Sequence, residues 1–434
     1  MLLFYSKTNI MQKLLYVAFL LCAMSAFGQV AVSSSPFPLT DPSSVLDISS
    51  SSKGVLHPRM SKVDRDNINL PAHSLMIYQI DDTPGYYYNA GTTLVPIWQK
   101  VETNTSILSL IGRTPISSLP FIITQPGSYY LNQSLTGASG ITVSASNVYI
   151  DLNGHALSGS VGNTSAGIAT SAAFHNLTVL NGTVNNWGKE GINYSNSNTC
   201  HFENLQLNNN LRDGLFSGKN TIVKKIIATS NSQDGIDVGE SSMVEECICE
   251  MNLNDGIELD NGSICSGCSA KSNSLVGIKS TGMATIQNCN AHNNTSYGFQ
   301  LGIGTEASGN NAMGNISHGY YVLEGCHLFE NVARSNSNGF ELFGNNIIVE
   351  NCSAKSNSTN GFSCSFNYVH LHGNTASNNV HGYNISGTSN LLIKNTAINN
   401  TTSGFTVVAG NNVGTILSTA TLNTNTNPNA NISY

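Results

Sequence analysis

Five acidic side chains in the middle of the chain recur at a spacing that could bring them together. Asp213, Asp234 and Asp255 follow one another at one constant interval, and the same interval separates Asp237 from Glu258. If this interval of about 21 residues is one structural unit, these carboxylates stack on neighbouring units. Converging carboxylate oxygens are typical ligands of Ca²⁺. Close carboxylates can also separate their pKa values for acid–base catalysis.

The spacing therefore predicts a binding patch that contains all five carboxylates. Calcium is the candidate cofactor, held by Asp234, Asp237, Asp255 and Glu258. A calcium-dependent lyase would use such carboxylates to neutralise a uronate, and a basic residue, Arg212 or Lys279, would take the proton. The alternative is purely structural. Asp before Gly is common in turns, and the residue directly before the corresponding glycine is Asn, His or Ser elsewhere in the chain.

A second group of candidates follows further along the chain. Tyr297 is a candidate for stacking on a sugar ring, and His318 and Tyr321 are candidates for proton transfer close to Glu341. The simpler interpretation is that these are surface aromatic residues without a binding or catalytic role. His370 and His372 alternate along one strand and could be two metal ligands, but no third partner is evident.

A repeat of about 21 residues carries these side chains, a period typical of stacked repeat architectures. Glycine followed by a large apolar residue recurs at nearly even intervals from Gly191-Ile192 to Gly404-Phe405. Ile257, Glu258 and Leu259 illustrate the alternation after each glycine, which is typical of a strand with one buried face. Gly, Ser and Asn punctuate every repeat, and no segment has the period of a helix. Three short strands per repeat predict one coil of a parallel β-helix, stacked at about 4.8 Å per coil.

Two further columns keep the same phase as the glycines. Asparagine stands four positions before most of them, and Asn336 fits with a shift of one position; the other members are Asn210, Asn231, Asn252, Asn273, Asn294, Asn315, Asn357, Asn378 and Asn400. Small residues precede the asparagines by three positions, at Ala228, Cys249, Ala270, Ala291, Ala312 and Ala354. Stacked amides can hydrogen-bond along a ladder, and asparagine tolerates the left-handed turn that a coil corner needs. Small residues allow such a corner to close tightly.

The segment before the regular repeats resembles the opening of a known fold. Residues 119–123, 126–131, 140–143 and 148–159 are similar to the first coils of secreted right-handed parallel β-helix proteins of the pectate-lyase-like superfamily. With the repeats, the resemblance covers about residues 116–420. It implies an all-β chain whose residues 102–425 form a right-handed parallel β-helix of about 12–13 coils, followed by a tail at 426–434. The superfamily includes polysaccharide lyases, alginate-modifying enzymes, phage tailspikes and proteins without known activity, so the fold does not decide the function.

The specific enzyme patterns of that superfamily are missing. The Asn-x-Asp, Asp-Asp, Gly-His-Gly and Arg-x-Lys motifs of polygalacturonases have no convincing match in the repeats, and the one Asp-Asp pair, Asp81-Asp82, precedes them. Only Arg212 and Arg334 lie in the regular repeats, so an arginine-rich cleft for uronates is also absent.

Composition and the N-terminal sequence indicate export. Charged residues make up 10% of the chain and the net charge is −7, which argues against nucleic acids and anionic membranes as partners. An apolar run at residues 14–23 follows Lys13, and Ala26-Phe27-Gly28 resembles a cleavage site. We therefore expect a signal peptide at residues 1–28, with Met11 as a possible start, and no transmembrane segment after its removal. The alternative is a membrane anchor, for which the run is short.

Residues 29–101 contain a higher proportion of charged residues and prolines than the repeats and lack their period. They resemble a small module at the N-terminus of exported surface proteins of Bacteroidetes-type bacteria and of tail-fibre-like proteins. Alternation at Ile77 and Gln79 and at Tyr86 and Tyr88 predicts a β-hairpin, and a linker with two strands is the alternative.

Nine cysteines follow the signal sequence, an odd number for an exported protein. Cys247, Cys268 and Cys289 lie one period apart, which favours stacked, buried thiols over disulfides or a paired zinc motif.

The sequence as a whole predicts an exported or cell-surface β-helix protein that binds glycans, mediates adhesion or acts as a spacer without catalysis. The partner would be a polysaccharide or a cell-surface glycan. The alternative is a carbohydrate-active enzyme, a calcium-dependent polysaccharide lyase or a glycoside hydrolase, acting on an acidic polysaccharide.

Overall fold

The computed structural model describes residues 30–33, 43–101, 112–424 and 426–434 of the chain. The chain divides into two compact units between Ser106 and Ile107. The expected signal peptide and Cys22 lie outside the described residues. Among the residues described, no helix is long and apolar enough to cross a membrane.

In its described residues, the first unit is a small β structure with one short helix. Two parallel strands, Val30–Ser33 and Leu46–Ser49, form one sheet, and a second sheet contains Arg59–Met60, Met76–Gln79, Gly85–Asn89 and Trp98–Lys100. Met76–Gln79 and Gly85–Asn89 pair antiparallel, which confirms the predicted hairpin. The helix Lys62–Asp66 supplies Arg65, which is buried over the rings of Tyr87 and Trp98 and donates to Gln79 Oε1 at 2.6 Å.

The second unit is a stack of parallel coils, as predicted. The strand that follows each glycine pairs in parallel with its counterpart on the next coil and forms a sheet of fourteen strands, here called sheet A, so the stack is slightly longer than the expected 12–13 coils. Its strands are Phe121–Ile123, Ile141–Val143, Ile168–Thr170, Ile192–Tyr194, Leu215–Ser217, Ile236–Val238, Ile257–Leu259, Ile278–Ser280, Phe299–Leu301, His318–Val322, Asn338–Leu342, Asn360–Cys364, His381–Ile385 and Ser403–Val407.

The other two faces of each coil join into one 27-stranded sheet, because three long strands run through both faces. These long strands are Leu177–Asn185, His201–Asn208 and Ile222–Thr229. Face B otherwise contains Arg113–Ile116, Gly127–Leu131, Val148–Asp151, Met243–Glu245, Ile264–Ser266, Thr285–Gln287, Glu306–Ser308, His327–Phe329, Ile348–Glu350, His370–His372, Leu391–Ile393 and Asn412–Val413. Face C otherwise contains Leu135–Gly137, Ala156–Gly159, Ile248–Glu250, Ser269–Lys271, Asn290–His292, Asn311–Met313, Val332–Arg334, Ser353–Lys355, Thr375–Ser377, Thr396–Ile398, Ile416–Leu417 and Asn431–Ser433.

The C-terminal residues extend the stack instead of forming only a tail. Asn431–Ser433 pairs with Thr396–Ile398, and Asn431 Oδ1 accepts from the backbone N–H of Asn395 at 2.9 Å. A short 3₁₀ helix, Leu422–Thr424, lies between the last two strands of face C. The expected boundary at 426 therefore falls inside the structured end of the unit.

The core runs through the whole stack, and one of its columns consists of the apolar residues that directly follow the glycines. Ile236, Ile257 and Ile278 are fully buried on successive coils, as the alternation predicts. From Phe299 onwards the column becomes aromatic, and its rings stack along the axis with centroids 4.7–5.0 Å apart and interplanar angles of 4–7°. Stacked rings match the spacing of the coils, so each aromatic residue fills its own layer.

The glycine of each repeat is required by close packing between coils. A Cβ atom on Gly256 would come within 2.5 Å of the Gly277 carbonyl oxygen and within 2.9 Å of the Ala270 Cβ. The small residues of the alanine column, which pair in register from Ala228 to Ala397, lie against these glycines. Any larger residue at the glycine would push two coils apart.

Each coil turns at three corners that share one construction. At the asparagine corner, Asn293 has a positive φ of 53° and the following residue, Asn294, is fully buried. Asn294 Oδ1 accepts from the backbone N–H and from Nδ2 of Asn273 at 3.0 and 3.1 Å. The same bonds form a ladder through Asn210, Asn231, Asn252, Asn273, Asn294, Asn315, Asn336, Asn357, Asn379 and Asn400.

The predicted ladder was wrong at one position. Asn378 is exposed with a φ of 59°, and Asn379 occupies the ladder instead. Asn336, expected to be one position out of phase, lies in line with Asn315 and Asn357. Successive asparagines of the ladder are 21 residues apart from Asn315 to Asn357 and 22 apart from Asn357 to Asn379. Differences in repeat length therefore arise both between the corner and the following glycine and elsewhere in the coil.

The other two corners have ladders with mixed side chains. At the cysteine corner, between faces B and C, the accepting side chains are Cys268, Cys289, Asn310, Asn331, Cys352, Asn374, Asn395 and Asn431. At the serine corner, between sheet A and face B, Ser242 and Ser263 accept first, and Asn390 and Asn411 accept near the C-terminus. All nine described cysteines are buried free thiols, which confirms the sequence interpretation.

The ladder makes a specific prediction for stability. Asn294→Leu removes the acceptor of two Asn273 donors and the donor to Ala270 O and Asn315 Oδ1. Each buried group left unpaired costs about 1–3 kcal/mol, so we expect a loss of at least about 2 kcal/mol in the free energy of unfolding. Urea denaturation measures this loss.

Asn290→Ser is the matched control, because Asn290 is exposed and Ser269 is its partner on the preceding coil. It should change the free energy of unfolding by less than about 0.5 kcal/mol. Equal effects of the two substitutions would contradict the ladder.

Candidate functional site

The candidate residues lie on the outer surface of sheet A. Parallel register aligns Asp237, Glu258, Lys279, Gln300, Tyr321 and Glu341 in one column across six successive coils. The alternation after each glycine predicts that residues at this position face outward. The first two residues of the column are acidic, Lys279 follows them, and Gln300 separates Lys279 from Tyr321.

The acidic patch comprises Asp213, Asp234, Asp237, Asp255 and Glu258. One carboxylate oxygen from each of Asp234, Asp255 and Glu258 lies within 4.8 Å of the others. Asp237 is outside this trio but is the register partner of Glu258. The structure thus gathers three of the four predicted calcium ligands.

The aspartates before the glycines also have a structural role. Asp213 Oδ1 accepts from the backbone N–H of Asp234 at 2.8 Å, and Asp234 Oδ1 accepts from that of Asp255 at 2.7 Å. Asp255 Oδ1 accepts from the N–H of Val276 at 2.9 Å. One oxygen of each aspartate is therefore used between coils, as the structural alternative implies. The second oxygen of each is the atom that remains for a ligand or a proton.

Two basic residues were candidates for proton transfer, and they occupy opposite ends of the patch. Lys279 Nζ lies 2.9 Å from Glu258 Oε1 and 3.4 Å from Asp255 Oδ2. It supplies a positive charge at the position that a calcium ion would take. Arg212 instead pairs with Glu190 Oε1 at 3.2 Å.

Sequence reasoning missed Glu190 as a member of the same column. Glu190 precedes Gly191 just as Asp213 precedes Gly214, and this position was the available signal. The residue is buried, and its Oε2 has no hydrogen-bond partner. Repulsion from Glu190 helps to raise the pKa of Asp213.

Protons reduce much of the charge of the patch. Burial raises the pKa of Asp237 to about 8, with repulsion from Glu258 and Asp234 adding to the effect. Burial likewise raises the pKa of Asp234 to about 7 and that of Asp213 to about 6. At neutral pH, Asp237 therefore carries a proton while it lies beside Glu258 and close to Lys279.

Tyr321 of this column belongs to a stacked surface, here called the aromatic ribbon, made of Tyr297, His318, Tyr321 and Phe343. The ring of Tyr297 lies 4.8 Å from that of Tyr321 and 5.3 Å from that of His318, with interplanar angles of 7° in both cases. Phe343 continues the ribbon 5.3 Å from Tyr321. Phe343 was not foreseen, because aromatic residues do not recur at its position in the repeat.

Three ionisable side chains of this region are shifted towards their neutral forms. Burial lowers the pKa of His318, whose Nδ1 is buried without a hydrogen-bond partner. Burial raises the pKa of Glu341, although Asn338 Nδ2 donates to its Oε2 at 2.7 Å. Burial also raises the pKa of the Tyr321 hydroxyl, so it stays protonated at neutral pH. The ribbon is therefore a weakly charged surface.

The remaining histidine candidates lie on face B and are separate from sheet A. His372 Nδ1 lies 3.2 Å from Glu350 Oε1, and His327 Nε2 lies 3.3 Å from Glu350 Oε2. His370 is exposed and belongs to the neighbouring register position. The pair His370 and His372 does not share one partner.

The raised pKa values predict that stability falls as the pH rises. An unfolded aspartate loses its proton near pH 4, whereas Asp234 and Asp237 keep theirs until about pH 7 and 8. Between pH 4 and 8 the folded state binds more protons, so the free energy of unfolding decreases, at most by about 1.4 kcal/mol per pH unit for each proton. Asp237→Asn should flatten this slope in denaturation curves. Glu240→Gln, in the exposed pair with Lys219, should leave it unchanged, and stability that rises from pH 5 to 8 would contradict the assignment.

Comparisons with known proteins support the fold. The family model for the right handed beta helix region matches residues 166–306, and a model described as the phage tail like trimerisation region matches residues 34–112. With the parallel sheets described above, the first match confirms the predicted right-handed β-helix. No curated protein sequence matches the chain significantly.

Several solved structures are similar at low sequence identity. The A-module of the mannuronan C-5 epimerase AlgE6 of Azotobacter vinelandii is 15% identical, with a TM-score of 0.42 over 74% of this chain and 89% of that chain. The catalytic domain of a GH87 alpha-1,3-glucanase is 11% identical, with a TM-score of 0.43 over 74% and 68% of the two chains. The tailspike protein of E. coli bacteriophage HK620 is 12% identical, with a TM-score of 0.43 over 76% and 72%.

Proposed function

We propose that this protein binds a glycan along the outer surface of sheet A. The observation that carries this proposal is the aromatic ribbon, in which partly exposed rings lie parallel to one another on successive coils. Because the rings stack on one another, most of their faces are covered, and the stack presents ring edges outward on successive coils. The C–H groups of a sugar can pack against this apolar ridge, while its hydroxyl groups remain free for hydrogen bonds.

The neighbouring carboxylates complete this surface. The coils advance by about 4.8 Å, which is comparable to the length of one sugar unit, so a glycan chain parallel to the axis would place successive sugars on successive coils. Glu258 and Gln300 offer hydrogen-bond acceptors in the column that contains Tyr321. A ligand with hydroxyl groups fits this combination of apolar ring edges and acceptors.

Export is part of the same proposal. A glycan-binding β-helix would meet its partner outside the cytoplasm, and the apolar N-terminal run before residue 28 is the sequence feature that supports export. The sparse charge of the chain, 10% of residues, leaves Asn, Ser and Thr as the main surface groups.

A second candidate function is catalysis on a glycan at the acidic patch. Asp237, with a pKa of about 8, could donate a proton at neutral pH, and Glu258 beside it could act as the second carboxylate. Calcium remains a candidate cofactor through Asp234, Asp255 and Glu258, in competition with Lys279. Release of shorter or unsaturated saccharides, lost in Asp237→Asn, would favour this function over binding alone.

We further propose that the first unit joins three copies of the chain. Sixteen of its large apolar side chains are exposed, and Val45, Leu56 and Leu94 are 78–81% exposed. So many exposed apolar groups in a small unit indicate a partner surface. The match of residues 34–112 to a trimerisation region supports two further copies of this chain as that partner. A trimer would present three ribbons to one polysaccharide and would increase the avidity.

The binding proposal predicts a difference between two exposed aromatic positions. Tyr321→Ala removes a ring from the middle of the ribbon and should weaken glycan binding by about tenfold, which corresponds to about 1.4 kcal/mol. Phe329→Ala, on face B, is the control and should leave affinity unchanged. A glycan array followed by calorimetry on the best ligand measures both. Equal affinity of the two variants would contradict the ribbon as the binding surface.

The assembly proposal predicts the mass in solution. Light scattering of the full chain should give about three times the chain mass of 46.0 kDa. Leu56→Glu with Val95→Glu places charges among the exposed apolar groups of the first unit and should shift the mass to that of one chain. Val161→Glu, at a fully exposed position of the second unit, should keep the trimer. A monomeric wild type would refute the proposal.

A further inference from the structure

Five of the nine described cysteines are concentrated on three adjacent coils. They are Cys247, Cys249, Cys265, Cys268 and Cys289. Three of them converge inside the stack: the Sγ atoms of Cys265 and Cys289 are 3.7 Å apart, and those of Cys265, Cys268 and Cys289 all lie within 4.8 Å of one another. None of the three is more than 1% exposed.

Two different structural columns create this cluster. Cys268 and Cys289 occupy the cysteine corner of successive coils, whereas Cys265 points inward from the strand Ile264–Ser266 between Val244 and Ile286. The spacing of Cys247, Cys268 and Cys289 revealed the corner column in the sequence. The approach of Cys265 to that column depends on how the corner folds, so no spacing could indicate it.

The separations fit one ion bound by three sulfurs. With a metal–sulfur distance of about 2.3 Å, three sulfurs around one ion lie about 4.0 Å from each other. Among the described residues, no fourth cysteine, histidine or carboxylate joins the trio, so the four-ligand set of structural zinc is incomplete. Thiol ligands favour soft ions, of which Cu(I) accepts three sulfurs.

The sulfurs bind as thiolates, so each thiol that becomes a ligand releases its proton. The backbone N–H groups of Cys247 and Cys268 already donate to Cys268 Sγ and Cys289 Sγ, at 3.5 and 3.4 Å, and these donors stabilise thiolate charge inside the apolar core.

We propose that Cys265, Cys268 and Cys289 form a three-coordinate, all-sulfur site for one Cu(I) ion inside the β-helix. Binding forms three copper–sulfur bonds and releases three thiol protons to solvent. No electron is transferred, because copper enters as Cu(I).

The buried position determines how the site must be tested. The full chain is unfolded and refolded without oxygen, with Cu(I) supplied as a weak complex, and is then desalted. We expect about one copper per chain, an absorption spectrum at the copper edge that shows three sulfur ligands, and a higher melting temperature than that of the copper-free protein. No retained copper, copper bound through nitrogen or oxygen, or a Cys265–Cys289 disulfide in protein isolated from cells would overturn the proposal.

Matched variants separate the site from a general effect on folding. Cys265→Val follows Val244 in the same column, and Cys289→Asn follows Asn310, the next side chain of its ladder. Both should fold and retain less than about a tenth of the copper. Cys352→Asn changes the same corner outside the cluster and should bind copper like the wild type. Equal copper in Cys265→Val and wild type would refute the site. Glycan binding by the ribbon is independent of these outcomes.

Discussion

The structure of the β-helix depends on satisfying the backbone N–H groups at the inner side of each corner. A residue with positive φ turns the chain, and the N–H of the following residue then points along the axis into a dry interior. An unpaired N–H in that position costs about 1–3 kcal/mol. The side chain one coil further on supplies the acceptor, as Asn315 Oδ1 does for the N–H of Asn294 at 2.9 Å. Because every corner relies on the next, the register of the coils is fixed over the length of the ladder.

That register is also what assembles the candidate site. Residues one repeat apart become lateral neighbours, so a column of like side chains becomes a surface. The outcome depends on the chemistry of the side chains. Stacked rings gain contact, as Tyr297 and Tyr321 do. Stacked carboxylates repel one another, and burial together with this repulsion raises the pKa values of Asp234 and Asp237. Lys279 neutralises the end of the acidic column at Glu258. Binding surface and stability therefore arise from the same repeat.

Much of the fold could be predicted from the sequence because some positions of the repeat accept only one kind of residue. Only glycine fits at positions such as Gly256, and only large apolar residues fill the layer at Ile257, so both columns are visible as a period. The asparagine ladder was equally visible, apart from Asn378, where the count from the glycine misplaced the corner by one position. The cysteine and serine corners were not recognised as ladders, because Cys, Ser, Thr and Asn can all occupy them.

The site was less predictable for a related reason. The outward column was foreseen, since alternation along a strand fixes which residues face out. Phe343 and Cys265 were missed, because their roles depend on contacts between different columns. Glu190 was also missed, although it shares with Asp213 the position before the glycine. The partners of the charged side chains could not be predicted either. Arg212 and Lys279 looked equivalent in the sequence, but Arg212 pairs with Glu190 and Lys279 pairs with Glu258.

Native-state hydrogen exchange tests the central role of the corners most directly. The backbone amide of Asn273, which donates to Asn294 Oδ1, should exchange as slowly as the strand amide of Ile278, since both open only when coils separate. The amides around the exposed Val161 provide the fast reference. Corner amides that exchange at the rate of this reference would contradict the account, because the side-chain ladder would then contribute nothing to holding the coils together.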